Sequence, residues 1–237
     1  MNRLLGISLL VALTAACTTP LGAQDKKGTN AAPAEAAGKA TPSAEADAVQ
    51  RLSLAYGLIH YGRKNKVPEA LITAARILAD TSTVDLKDKP ARGDAPKGEK
   101  TADKPKAEVD NSPKALLEEA KTLSGQNESV VKLANAVEIK RGAVGGPKRT
   151  NEVVKGLDTD VYRIAFRGDE IAKVAISGDG DTRLDLYIYD ENGNLITSQV
   201  GPGDDALASW VPRWAGTFTI KVVNRGRIAN RYVIATN

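Results

Sequence analysis

The chain reads as a multidomain α plus all-β protein, in which a small helical-hairpin module precedes an antiparallel β-sandwich. Three observations predict this. From residue 160 onward apolar and polar residues alternate with period two, in short runs separated by turn signals and with no helical stretch between them. Between residues 48 and 140 apolar residues recur instead at three- and four-residue spacings, the mark of amphipathic helices. The 11 prolines and 21 glycines gather in a few places, so the ordered cores are smaller than 237 residues suggest, and two compact modules fit better than one.

The composition, 26% charged and 42% hydrophobic, is that of a soluble protein. The formal charge of +4 is dispersed, and the C-terminal part from residue 149 is slightly acidic. Nucleic-acid binders concentrate Lys and Arg in a stripe, often with aromatics between, and neither feature is present, so no nucleic-acid partner is expected.

Residues 1–23 read as a signal peptide. Arg3 supplies the positive start, and Leu4 to Ala16 is an apolar run of 13 residues. That run is too short for a hydrocarbon core of ~30 Å, so removal rather than anchoring is expected. Two cleavage sites compete. Leu13-Thr14-Ala15-Ala16 before Cys17 resembles the lipobox of bacterial lipoproteins, with Thr14 where leucine is usual, and makes Cys17 the lipidation candidate. Cleavage after Ala23 would instead release a soluble product. Both place the protein outside the cytoplasm, periplasmic or secreted, with membrane attachment only through a lipid at Cys17. Cys17 is the single cysteine, so the folded modules hold without a disulfide.

Residues 24–47, rich in Ala, Pro, Gly and Lys, read as a disordered tether. Residues 48–83 form a helical hairpin. Leu52, Ala55, Tyr56, Ile59 and His60 make one stripe, and Pro68 opens a second helix bearing Leu71, Ile72, Ala75, Ile77 and Leu78. In residues 84–112 seven basic side chains balance seven acidic ones, with three prolines and few large apolar groups; a disordered charged insert is expected. Residues 113–140 form a second hairpin, through Leu116, Ala120 and Leu123 and then Val130, Leu133, Ala134 and Val137. The two hairpins resemble a pair of tetratricopeptide-like units. The alternative, favoured because two units seldom make a solenoid, is a four-helix cluster packing only on itself.

Residues 150–237 form the sandwich. Tyr162, Ile164 and Phe166 point one way and Arg163, Ala165 and Arg167 the other; the same holds for Ala172, Val174 and Ile176, for Leu184, Leu186 and Ile188, for Phe218, Ile220 and Val222, and for Tyr232 with Ile234. Asn192-Gly193 marks a hairpin turn, since both residues accept the positive φ it needs. Seven or eight strands without intervening helices imply two antiparallel sheets face to face.

Asp160-Val161-Tyr162-Arg163-Ile164, Leu184-Asp185-Leu186-Tyr187-Ile188-Tyr189-Asp190 before Asn192-Gly193, Ala215-Gly216-Thr217-Phe218-Thr219-Ile220-Lys221-Val222 and Tyr232 resemble the bacterial pre-peptidase C-terminal domain family, over about residues 150–237. The resemblance implies a jelly-roll-like sandwich with a non-catalytic role in binding or secretion, usually attached to secreted enzymes. No peptidase-like stretch precedes it here, so peptidase chemistry is not carried over.

Catalytic residues are not assigned. Triads built on Ser or Cys need an imidazole, and the one histidine, His60, reads as a packed helix residue. A hydrolase would need a carboxylate pair such as Asp204 and Asp205 in a cleft, yet neighbours on a strand face opposite ways. Asp179, Asp181 and Asp185 around Gly180 are the metal candidates, because clustered oxygens suit calcium; turns prefer the same residues, and no other cofactor is expected. Trp210 and Trp214 could stack on sugar rings if exposed, or close one end of the sandwich if buried. Arg225 and Arg227 are candidates for an anionic group. The function expected is therefore a non-enzymatic, exported binding module contacting a protein or cell-envelope component. The alternatives are a carbohydrate- or calcium-dependent binding module and an accessory subunit of a secreted hydrolase.

Overall fold

In the computed structural model, residues 28–32, 40–93, 104–139 and 145–237 are described. Among them are four helices, α1 (Ala44–Asn65), α2 (Pro68–Asp80), α3 (Pro113–Leu123) and α4 (Glu128–Asn135). Ten strands follow the same chain order: β1 (Val84–Asp85), β2 (Ala91–Arg92), β3 (Lys148–Val154), β4 (Thr159–Phe166), β5 (Ala172–Ser177), β6 (Leu184–Tyr189), β7 (Leu195–Gln199), β8 (Asp205–Trp210), β9 (Gly216–Asn224) and β10 (Asn230–Thr236). A helical module followed by a β-sandwich is the fold.

The strands form two five-stranded sheets, ordered β1-β3-β10-β5-β8 and β2-β4-β9-β6-β7. Every pairing is antiparallel except that of β1 with β3. The rows read as inward from period-two alternation are the rows that meet between the sheets: Tyr162, Ile164, Val174, Ile176, Leu186, Ile188, Phe218, Ile220 and Ile234 share one buried cluster. At one end Tyr232 donates to Asp160 (2.8 Å) and shares a 2.6 Å hydrogen bond with Tyr162, so the polar tips of this core are paired with one another.

Each helix start carries a local cap or a first-turn proline. Ser43 Oγ accepts from the Ala46 amide at 3.2 Å, Ser112 Oγ from Ala115, and the Asn127 side chain from Ser129 and Val130; Pro68 and Pro113 occupy first-turn positions. Lys66, at φ 57°, ends α1 in the left-handed conformation. Ile59, Leu71, Leu116, Ala120, Val130 and Ala134 build the helical core, and Arg63 clamps Glu119 of α3 through two hydrogen bonds of 2.8 and 2.9 Å.

Three sequence expectations are corrected. The helices do not pack only on themselves: Val49 and Leu52 of α1 lie on Ala175 of β5 and Ala235 of β10, against the outer face of the first sheet. The physical reason is the size of the outward side chains there, which lets a helix approach closely, and β5 is consequently buried on both faces. The charged insert is not wholly unstructured. Val84 and Asp85 pair with Lys148 and Arg149, Ala91 and Arg92 pair with Val161 and Asp160, and Leu86 enters the sandwich core with 2% exposure. Edge strands offer unpaired backbone groups, and one leucine with a few main-chain hydrogen bonds suffices to order a polar segment there. The tether, too, is partly built into the fold, since α1 begins at Ala44 and Asn30 is fully buried. Asn30 Oδ1 accepts from the amides of Arg213 and Trp214 (2.9 and 3.1 Å), and its own amide donates to Asp190 (2.9 Å).

Candidate functional site

The signal peptide and the lipidation candidate Cys17 lie outside the described residues. The other candidates can be placed. Trp210 points inward from β8 and packs on Phe166 and Phe218, with ring centroids 4.9 and 5.3 Å away. Trp214 is buried at the end of the sandwich closed by residues 28–32, and its indole N–H donates to Glu191 at 2.5 Å. Neither forms an exposed stacking surface, which removes the geometry that a sugar platform on these two residues required. Period-two counting could not foresee this for Trp214, because the residues that cover it come from far away in sequence.

Arg225 is not a free anion receptor. Its guanidinium donates to Asp185 (2.7 Å) and to the Tyr187 hydroxyl (3.0 Å), while Arg183 holds the other side of Asp185 at 3.0 and 3.1 Å. Burial pushes the Asp185 carboxyl up, but the two guanidiniums outweigh it and hold it below the usual carboxylate range. Arg227 is exposed in the following loop. The three aspartates proposed for a metal are not brought together. Asp179 accepts from the amides of Arg231 (3.0 Å) and Asp181 (3.1 Å), Asp181 is paired with Lys106, and Asp185 is enclosed by its arginines. Among the described residues no three His, Cys, Asp or Glu side chains converge as a ligand set.

The two sheets differ in what covers them. The outer face of the first is beneath α1, whereas among the described residues no helix packs on the outer face of the second. The strand register lays out that open face. Arg163, Thr219 and Tyr189 form one row across β4, β9 and β6, and Val161, Lys221 and Tyr187 form the next. Lys221 lies over the Tyr189 ring at 5.0 Å and Arg225 over Tyr187 at 6.0 Å. A shallow concavity of about 400 Å³ runs along it, lined by Arg163, Tyr189, Glu191, Thr219 and Lys221. Partly exposed tyrosines held rigid on a sheet and interleaved with cations present contact area at small entropic cost. Sequence alternation placed these residues outward, but not which sheet would stay uncovered.

On the covered face, His60 of α1 meets Ser177 of β5 and Asp205 of β8. His60 Nε2 is 3.0 Å from Ser177 Oγ and 3.5 Å from Asp205 Oδ1, and Ser177 Oγ donates to Asp205 Oδ1 at 2.5 Å. The residue types are those of a catalytic triad, but the geometry is not. In a relay the imidazole bridges the two partners with different nitrogens. Here one nitrogen faces both, and the serine donates to the carboxylate rather than to the imidazole. The hydrogen bond to Asp205 raises the His60 pKa above its ordinary value against the opposing effect of burial. Burial raises the Asp205 pKa, yet hydrogen bonds from His60 and Ser177 bring it below the ordinary value. The triangle is a charged latch between helix and sheet. His60 was legible as a helix-stripe residue, but its partners sit at outward strand positions that only the register brings together.

No protein-family model matches the chain, and no curated protein matches it either. Among solved structures it is similar to the pre-peptidase C-terminal domain of a collagenase from Bacillus anthracis, at 14% identity over 38% of this chain and 89% of that one, with a TM-score of 0.32. It is similar also to PliG, a periplasmic inhibitor of g-type lysozyme from Aeromonas hydrophila, at 14% identity over 38% of this chain and 84% of that one, TM-score 0.31. A third is a mitogen derived from Yersinia pseudotuberculosis, at 9% identity over 40% of this chain and 86% of that one, TM-score 0.28.

Proposed function

We propose that this is a non-enzymatic, exported binding module that contacts a protein or cell-envelope component through the open face of its second sheet. The observation that carries the reading is the asymmetry between the faces: α1 covers one, and the other displays Tyr187, Tyr189, Arg163 and Lys221 in adjacent rows. Export rests on the leader, and attachment to a membrane rests on acylation of Cys17. The test is site-specific photo-crosslinking in the producing cell. A photoreactive residue at Thr219 should give a discrete adduct that is lost when Tyr189 and Arg163 are both changed to Ala. The same residue at Thr73, exposed on α2, should give none. Adducts from both positions alike, or from neither, would remove the open face from consideration.

A further inference from the structure

Helix α1 is apolar on two sides. One side is buried against the first sheet and α2 through Val49, Leu52, Ala55, Tyr56 and Ile59. The other carries Leu54 and Tyr61, 57% and 54% exposed, with half-buried Leu58 between them. Together with exposed Asp47, Arg51 and Asn65 these residues follow at intervals of four, three, four, three and four. That is the spacing by which a helix keeps one seam toward a second helix, whereas a helix serving a single core needs only one apolar stripe.

Gly57 lies on the same side, three residues after Leu54 and four before Tyr61. A glycine inside a helix is less stable than alanine, so it calls for a reason. For Gly62 the reason is visible, since a Cβ there would come within 2.9 Å of Leu71 on α2. For Gly57 the described residues supply none: a Cβ would meet nothing within 4 Å, and the position is exposed. Space kept open beside an apolar seam is what the close approach of another backbone uses.

The charges choose the occupant. Glu45 and Asp47 are in the first turn of α1, and exposed Lys64 and Lys66 are at its end. Asp47 is 3.9 Å from Lys173, which donates to Gln50, and Arg63 is held by Glu119. Arg51 is exposed on the seam itself.

We propose that this seam pairs with the same seam of a second copy of the chain, the two α1 helices running antiparallel about a twofold axis midway between Leu54 and Leu58. Counting residues from that axis sets Leu54 level with Leu58 of the other copy and Arg51 level with its Tyr61 ring, a cation–π pairing. The acidic first turn comes level with Lys64 and Lys66 of the other copy. Like charges stay apart: at a rise of about 1.5 Å per residue the two Arg51 positions are separated by about 15 Å along the helices, beyond a screening length of about 8 Å. A parallel pair would instead oppose acid to acid and lysine to lysine. The twofold axis meets every one of these requirements with the chain's own residues. This surface is on the side of the first sheet and does not depend on the open face of the second.

The experiment is sedimentation velocity of the exported protein, which should show a monomer–dimer equilibrium that shifts with concentration. Gly57→Gln should raise the melting temperature at dilutions where the protein is monomeric, because it replaces a helix-interior glycine in open space, and should weaken dimerisation at least tenfold. Two charge variants test the antiparallel order, Glu45→Lys with Asp47→Lys and Lys64→Glu with Lys66→Glu. Each should dimerise at least tenfold more weakly than the unmodified protein, and an equimolar mixture of the two should recover the association. A photoreactive residue at Leu54 in the producing cell should give an adduct of twice the mass of the chain. A monomer at every concentration, an undiminished dimer in Gly57→Gln, a mixture no tighter than its components, or an adduct of any other mass would overturn the assignment.

Discussion

Asp160 shows how a single residue can carry a cost that its neighbours only partly offset. It faces inward at the end of β4, and Tyr232 donates to it at 2.8 Å. Burial nevertheless raises its carboxyl from the ordinary 3.8 to about 6. The native state thus holds this proton more tightly than the unfolded chain does, so between those values the folded protein binds more protons. Stability must then fall as pH rises from about 4 to about 6, by about 3 kcal/mol for this group alone. Urea titrations across that range should show the decline in the unmodified protein and a flatter profile in Asp160→Asn, which keeps the hydrogen bond and removes the charge. A profile unchanged by the substitution would show that the carboxyl is not the source. Buried Asn30 makes the opposite case: its side chain is fully paired, accepting from two backbone amides and donating to Glu191 and the Trp214 carbonyl, and it ties the polar segment before α1 to the sandwich.

At the scale of elements, the two-residue strands β1 and β2 do more than their length suggests. Each caps an edge of a different sheet, so the segment 84–93 bridges the sandwich along its open side. Its anchor is Leu86, the one side chain of the segment in the central core, helped by an ion pair between Lys89 and Glu152 (2.6 Å). The exposed pair adds little on its own. Leu86→Ala should cost about 2–4 kcal/mol and should speed amide exchange along the edges of β3 and β4 while leaving β5 protected. Exchange that accelerates uniformly would mean that the segment is part of the global unfolding unit rather than a separate flap. Residues 84–112 looked unstructured because composition averages over the window, and one leucine at the right register is invisible to an average.

For the whole molecule the question is what joins helices to sandwich. Val49 and Leu52 supply apolar contact, Arg149 donates to the Tyr56 hydroxyl at 2.9 Å, and Lys173 donates to Gln50 at 2.5 Å. The His60–Asp205 latch makes this junction sensitive to pH. The groups acting on His60 are Asp205 and Asp204, which favour its charged form, and Arg63, which opposes it. Its folded pKa is raised, so its contribution is complete below the ordinary imidazole value of 6.5 and is lost as pH rises through the higher folded value. The Asp205 contribution has the other sign: it is present above the ordinary 3.8 and disappears as pH falls through the depressed value. The junction is therefore firmest between about pH 4 and 6.5. Thermal melts should show the stability of the unmodified protein dropping as pH rises above 6.5 relative to His60→Gln, whose profile lacks that step. Parallel curves would assign the latch no energetic role.

The sequence alone determined the elements and their inward rows, because helix and strand each bury a face at a fixed period, and Tyr162, Ile164, Leu186, Phe218 and Ile220 announce theirs locally. It determined the helix start at Pro68 as well, since proline suits the first turn. The tertiary structure alone decided which outer sheet face α1 would cover, that both tryptophans would be buried, that Arg225 would be spent on Asp185, and that His60, Ser177 and Asp205 would meet. Each of these depends on residues distant in sequence finding one register; Ser177 and Asp205 are 28 positions apart, His60 and Ser177 117, and Asn30 and Trp214 184. Long-range pairing is set by the closure of the whole core, and no local period records it.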